Sequence, residues 1–141
     1  MNTDNFESLI RQAANRIGID IRRHRPEASD IGRLSLMLAD QKIDLVFDVG
    51  ANTGQFAQSL RKAGYTQQMI SFEPLSIAHA QLLHASRNDS KWDIAPRAAI
   101  GDREGEIEMH IAGNSVSSSA LEMLDAHADA APGSSYIGSE H

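Results

Sequence analysis

The sequence contains no cysteine, which excludes disulfides and thiolate metal sites and leaves the compartment unreadable from thiols. No apolar run is long enough to span a membrane, and Met1 to Asn5 are polar, with no signal core. A cytoplasmic location without a membrane partner is expected. Positive charge is in deficit, with 13 Lys and Arg against 19 Asp and Glu for a formal net charge of -6, which argues against nonspecific nucleic-acid binding. The six histidines are scattered, and His79 and His84 do not share a helix face, so no metal site is expected. No Gly-x-Ser-x-Gly turn occurs, and no serine has an evident base partner. What remains is a chain of 141 residues, 41% apolar and 23% charged, enough for one globular core.

The most informative stretch runs from Leu45 to Gly54. Ile43 to Val49 is nearly continuous apolar sequence, as expected for a parallel strand buried on both faces. Gly50 and Gly54 then allow a tight turn and close ligand approach to the main chain. Asn52 or Thr53 is placed to cap a helix in which Phe56, Ala57, Leu60 and Ala63 share a face before Gly64 closes it. Strand, turn and helix together form a nucleotide-cradling element.

The second strand, Met69 to Phe72, ends in Glu73-Pro74. In a doubly wound sheet, a carboxylate there reaches a ribose, whose two hydroxyls match a carboxylate acceptor. Glu73 is the expected ribose ligand. The dinucleotide fingerprint Gly-x-Gly-x-x-Gly is absent: the glycines are spaced Gly-x-x-x-Gly, with Asp48 two residues ahead of the first. An acid so close to the loop would repel a pyrophosphate but suits the sulfonium and ammonium of S-adenosylmethionine. A methyl donor is therefore favoured over NAD. Asp48 also has a structural reading, as a carboxylate that pins the loop amides, and Glu73 has a structural reading too.

Four stretches in order resemble the FkbM-type S-adenosylmethionine-dependent methyltransferases: Val46 to Phe56, Ser71 to Leu75, Ala98 to Asp102 and Asn114 to Ser119. The resemblance implies a Rossmann-like class I methyltransferase fold of the α/β class that moves a methyl group to an oxygen, often of a sugar or a polyketide-like alcohol. It also implies strands beyond His141, so the domain is expected to be incomplete here, with strands one to three plus an added strand. The residues expected to hold S-adenosylmethionine are Asp48, Gly50, Ala51, Asn52, Thr53, Gly54, Phe56, Glu73, Pro74, Ala98 and Asp102. No catalytic base is assigned. Two alternatives stay open: a non-catalytic cofactor-binding or interaction module, and, more weakly, an NAD-linked oxidoreductase.

The rest of the chain is read around that centre. Residues 1–42 are expected to form an amino-terminal helical segment. Its first helix carries Phe6, Leu9, Ile10, Ala13, Ala14 and Ile17 on one stripe, with Asp4 as cap, Glu7 three residues on and Gly18 as stop. Such a stripe packs on a core more often than it forms a lid. Arg22-Arg23-His24-Arg25-Pro26 reads as a solvated connector or a landing point for an anionic substrate, and Ile31, Leu34 and Leu38 as a second short helix. Residues 43–131 form the cofactor domain. In it a helix from Ser76 to Arg87 presents Ile77, Ala80 and Leu83, strand three runs from Trp92 to Ile100 across Pro96, and Glu106 to Ala112 alternates as a half-exposed strand. Ala98 and Ala99 are small enough to admit an adenine ring, and Asp102 either accepts from its amino group or opens the turn to Gly105. The serines of Asn114 to Ser119 bind a ligand or form a linker, ahead of a helix from Ala120 to His127. Residues 132–141 are expected to be a flexible tail. With strand one central in such sheets, its open edge is expected to be covered by the amino-terminal helices, by the Glu106 to Ala112 strand turning back or by a second copy of the chain, with a second copy or aggregation favoured.

Overall fold

A computed structural model of the chain describes residues 3–19, 28–114 and 116–141. The basic run Arg22 to Pro26 and Ser115 lie outside the described residues. The elements are α1 (Thr3–Arg16), α2 (Asp30–Asp40), β1 (Leu45–Val49), α3 (Gln55–Lys62), β2 (Gln68–Phe72), α4 (Ser76–Ser86), β3 (Trp92–Ile94), β4 (Met109–Ala112), α5 (Asp125–Ala130) and β5 (Tyr136–Glu140). The fold is α/β, compatible with a Rossmann-like methyltransferase. β1, β2 and β3 form one parallel sheet in that order, with Leu45 opposite Gln68 and Met69 opposite Trp92. Parallel neighbours cannot be joined by a hairpin, and α3 and α4 supply the two crossovers.

One face of this sheet carries the core. Ala57, Leu60, Met69 and Leu82 are fully or almost fully buried there beside Ala51, Tyr65 and Trp92, and α2 adds Ile31, Leu34 and Leu38. Each large apolar side chain so buried contributes roughly 1.5–3 kcal/mol. The opposite face is bare among the described residues: Phe47 and Val49 are 61% and 59% exposed. Strand one is therefore buried on one face rather than two, because the helices that pack on the sheet do so from a single side. It is also shorter than its apolar run, since Ile43 N–H donates to Leu38 O at 2.9 Å and belongs to the end of α2.

Several elements depart from expectation. In α4 the buried residues are Ala78, Leu82 and Ser86, while Ile77 and Leu83 stand exposed. Apolar residues fall on every side of this helix, interspersed with His79, Gln81 and His84, so its sequence leaves the inward face undetermined. Strand three ends at Ile94, two residues before Pro96. The half-exposed strand begins only at Met109, and α5 starts five residues after the expected Ala120. The supposed tail is the largest difference. Pro132–Ser134 is a 3-10 turn and Tyr136–Glu140 is a strand paired antiparallel to β4, with a bulge between Ile111 and Ala112. Backbone ladder bonds and stacking of His110 on Tyr136, with ring centroids 4.9 Å apart, order a segment whose composition alone reads as frayed. In α1, Ala14 is buried while Leu9, Ile10 and Ile17 are exposed, so only part of the stripe is covered among the described residues, and Asp4 falls inside the first turn rather than at the cap.

Candidate functional site

The turn after β1 depends on three left-handed residues: Gly50 (φ 78°), Asn52 (φ 50°) and Gly54 (φ 87°). Gly50 and Ala51 both donate to Phe72 O at 3.0 Å, so the loop stays fastened to the end of β2. The two glycines serve different ends. A Cβ on Gly50 would meet open space, which leaves the main chain there approachable. A Cβ on Gly54 would come within 2.7 Å of the Trp92 ring and 3.0 Å of Leu82, so this glycine lets α3 start tight against the core. Gly54 itself is the N-cap of α3, with no side-chain cap, and neither Asn52 nor Thr53 takes that role. Asn52 is instead consumed by the turn.

Two carboxylates end the adjacent strands on this side. Glu73 is 4% exposed, and its Oε2 accepts the Asn52 N–H at 2.7 Å while Oε1 accepts the Leu75 N–H at 2.9 Å. The loop-pinning considered for Asp48 is thus performed by Glu73. Asp48 is 8% exposed and accepts from the Ser71 hydroxyl at 3.1 Å, and that hydroxyl in turn accepts from Trp92 Nε1–H at 2.9 Å. Burial pushes the Asp48 carboxyl above its ordinary range; the Ser71 bond opposes this, and the Glu73 charge adds to it. No arginine, lysine or histidine pairs with either acid among the described residues. Asn52 Oδ1 is buried with no hydrogen-bond partner. The site therefore combines two uncompensated acids, an orphaned acceptor and an approachable backbone, a set suited to a ligand carrying positive charge and hydrogen-bond donors.

Two cavities open on either side of the Glu73-Pro74-Leu75 segment. One of about 390 Å³ is lined by Pro74, Arg97, Ala98 and Ala99 among others. The second, about 310 Å³, lies between Asn52 and Thr53 of the loop, the start of α4 and the β4–β5 hairpin. Arg97 lines the first and Glu140 the second, and the two pair at 3.3 Å. Glu140 also accepts from Ser76 N–H and from the Ser76 hydroxyl, at 2.5 and 2.8 Å, so β5 is fastened to the amino end of α4.

The expected residues thus divide. Asp48, Gly50, Ala51, Asn52, Thr53, Gly54 and Glu73 come together around the turn, with Pro74 and Ala98 in the neighbouring cavity. Phe56 is 37% exposed on the first turn of α3 and lines neither cavity. Asp102 is exposed, faces Arg103 at 3.4 Å and also lines neither. The serine loop is occupied with itself: Ser118 Oγ accepts from Ala112 N–H, and Ser119 Oγ from Leu121 N–H. His79 Nε2 lies 2.9 Å from Ala95 O, and no metal-binding cluster occurs among the described residues. Sequence reasoning missed Ser71, Trp92, Arg97 and Glu140. Ser71 alone had left a trace, as a hydroxyl inside an otherwise apolar strand.

A model of the family described as Methyltransferase FkbM domain matches residues 48–141 of the chain. No curated protein matches it. Among the described residues no helix is long and apolar enough to cross a membrane.

Proposed function

Because the chain belongs to the FkbM methyltransferase family, we propose that it binds S-adenosylmethionine at the carboxyl ends of β1 and β2 and serves methyl transfer to a hydroxyl of a small acceptor, such as a sugar or a polyketide-like alcohol. The observation that carries this reading is the pair of buried acids, Asp48 and Glu73, with no counter-cation among the described residues, beside an open Gly50. When bound, the donor supplies a methyl group activated by a positively charged sulfur. The chain's own residues would hold and orient it. Asp48 and Glu73 make the pocket negative, which favours a cation and disfavours a pyrophosphate. Glu73 retains carboxylate lone pairs beyond the two amides it holds, enough to accept from ribose hydroxyls. The Asn52 Oδ1 acceptor offers a partner to an ammonium or hydroxyl donor, and Ala98 leaves room for a flat ring. Positioning of this kind is the larger part of what a protein contributes when two bound substrates react directly. No residue is assigned as the base.

One observation favours a second reading. Both Glu73 oxygens already hold backbone amides, as a purely structural carboxylate would, which suits a non-catalytic binding or interaction module. Isothermal calorimetry with S-adenosylmethionine, S-adenosylhomocysteine and NAD separates the possibilities. Saturable binding of the first two without NAD is expected. Binding of NAD alone would indicate an oxidoreductase, and binding of none would leave an interaction module; repeated methylation of an alcohol acceptor by a chain that binds the donor would exclude a non-catalytic module.

A further inference from the structure

The cavity of about 310 Å³ beside the turn has a composition that discriminates among acceptors. Its walls are apolar, with Leu75 and Ile77 from the start of α4 and Ile111 and Ile137 from the β4–β5 hairpin. Its few polar groups are Asn52 and Thr53, from the same turn that carries Gly50, Gln81 of α4 and Glu140 of β5. Among the described residues no lysine or arginine lines it, and the one charged residue that does, Glu140, is an acid. The volume falls at the small end of ligand pockets, which are mostly apolar with a few convergent polar groups. A phosphorylated or nucleotide-linked sugar would have to leave water for a site whose lining offers it no cation, the nearby Arg97 being engaged by the Glu140 carboxylate. A neutral alcohol would bury its carbon skeleton on the isoleucines and present its hydroxyl toward the polar residues of the turn, Asn52 and Thr53.

We infer that this cavity is the acceptor subsite and that the acceptor is a neutral, mainly apolar alcohol rather than an anionic sugar derivative. The inference rests on the methyl-donor reading for its place beside the turn, while the ligand class follows from the lining alone. The hairpin forms the outer wall, held by Glu140 on Ser76 and Arg97, so the strand β5 helps define the specificity of the site.

Saturation-transfer NMR on the 141-residue chain, with 1-octanol and geraniol as neutral probes and glucose 1-phosphate and UDP-glucose as anionic ones, tests it. The alcohols should give signals and the sugar phosphates none. Ile77→Trp, which fills the cavity from an exposed helix position, and Ile137→Arg, which charges the opposite wall, should each weaken alcohol binding by about tenfold or more. Phe47→Ser, on the bare sheet face, should leave it unchanged. Equal signals from the sugar phosphates, loss of alcohol binding with Phe47→Ser alone, or no alcohol binding at all would overturn the inference. Parallel calorimetry with S-adenosylhomocysteine keeps the two readings apart. Donor binding without alcohol binding removes only the acceptor subsite, whereas alcohol binding in the cavity without donor binding keeps the ligand class and removes the methyl donor.

Discussion

At Glu73 a single carboxylate shapes the loop and, in the proposed function, also holds a ligand. Its two oxygens fix Asn52 and Leu75, and charge-assisted bonds of this kind are worth roughly 1.5–3 kcal/mol each. Glu73→Ala should therefore destabilise the fold by about 3 kcal/mol, read by denaturant unfolding, and weaken S-adenosylhomocysteine by at least about tenfold. A variant that loses stability but binds normally would make Glu73 a loop pin and nothing more. The glycines make a different prediction. Gly54→Ala adds a methyl 2.7 Å from Trp92 in a left-handed backbone, so it should cost about 3 kcal/mol, more than Gly50→Ala, whose new methyl meets open space. Equal unfolding midpoints for the two variants would mean that Trp92 moves aside freely.

Among the elements, α3 is tied down by one side chain. Arg61 donates to Asp89, Tyr65 O, Gln67 O and Lys91 O, which gathers the ends of α3, β2 and β3 around one guanidinium. Lysine keeps the charge but not the fork, so Arg61→Lys should cost about 1–2 kcal/mol. Burial raises the Asp89 carboxyl, but the hydrogen bond and charge of Arg61, with help from Lys91, outweigh burial and hold it below its ordinary range. A carboxyl lowered in the folded state adds stability that is present above the unfolded value, about 3.9, and lost as pH falls through the folded one. The gap between wild type and Arg61→Lys should accordingly narrow in acid; a gap that stays constant below pH of about 4 would assign the cost to packing. Legibility in the sequence also varies by element. The passage from β1 through the turn to α3 was readable because an apolar run, two glycines and an amphipathic stripe each carry a local signal. So was Glu73, at a strand end. The inward face of α4 was not, because Ile77, Ala78, Leu82 and Leu83 are all apolar and only tertiary packing chooses between them. β5 was hidden because its order comes from β4, far away in sequence, and the Ser71 to Trp92 link because it depends on register between strands.

For the whole molecule, the bare face of the sheet is the outstanding physical liability. Leu45, Phe47 and Val49 lie exposed on β1, which is the edge of the sheet among the described residues, and parallel sheets are ordinarily covered on both faces. The 141-residue chain studied alone should associate through this edge. Light scattering after size exclusion across a dilution series should show mass rising with concentration, and a constant monomer mass would refute self-association. The central claim is more local: a methyl donor sits where Asp48, Glu73 and the Gly50 turn converge. Titrating ¹⁵N-labelled protein with S-adenosylhomocysteine and following backbone amide shifts tests it most directly. The largest shifts should fall on Gly50 to Thr53 and Phe72 to Leu75, with smaller ones at Ala98 and Ala99. Saturable shifts confined to other parts of the chain, or none at all, would contradict the claim.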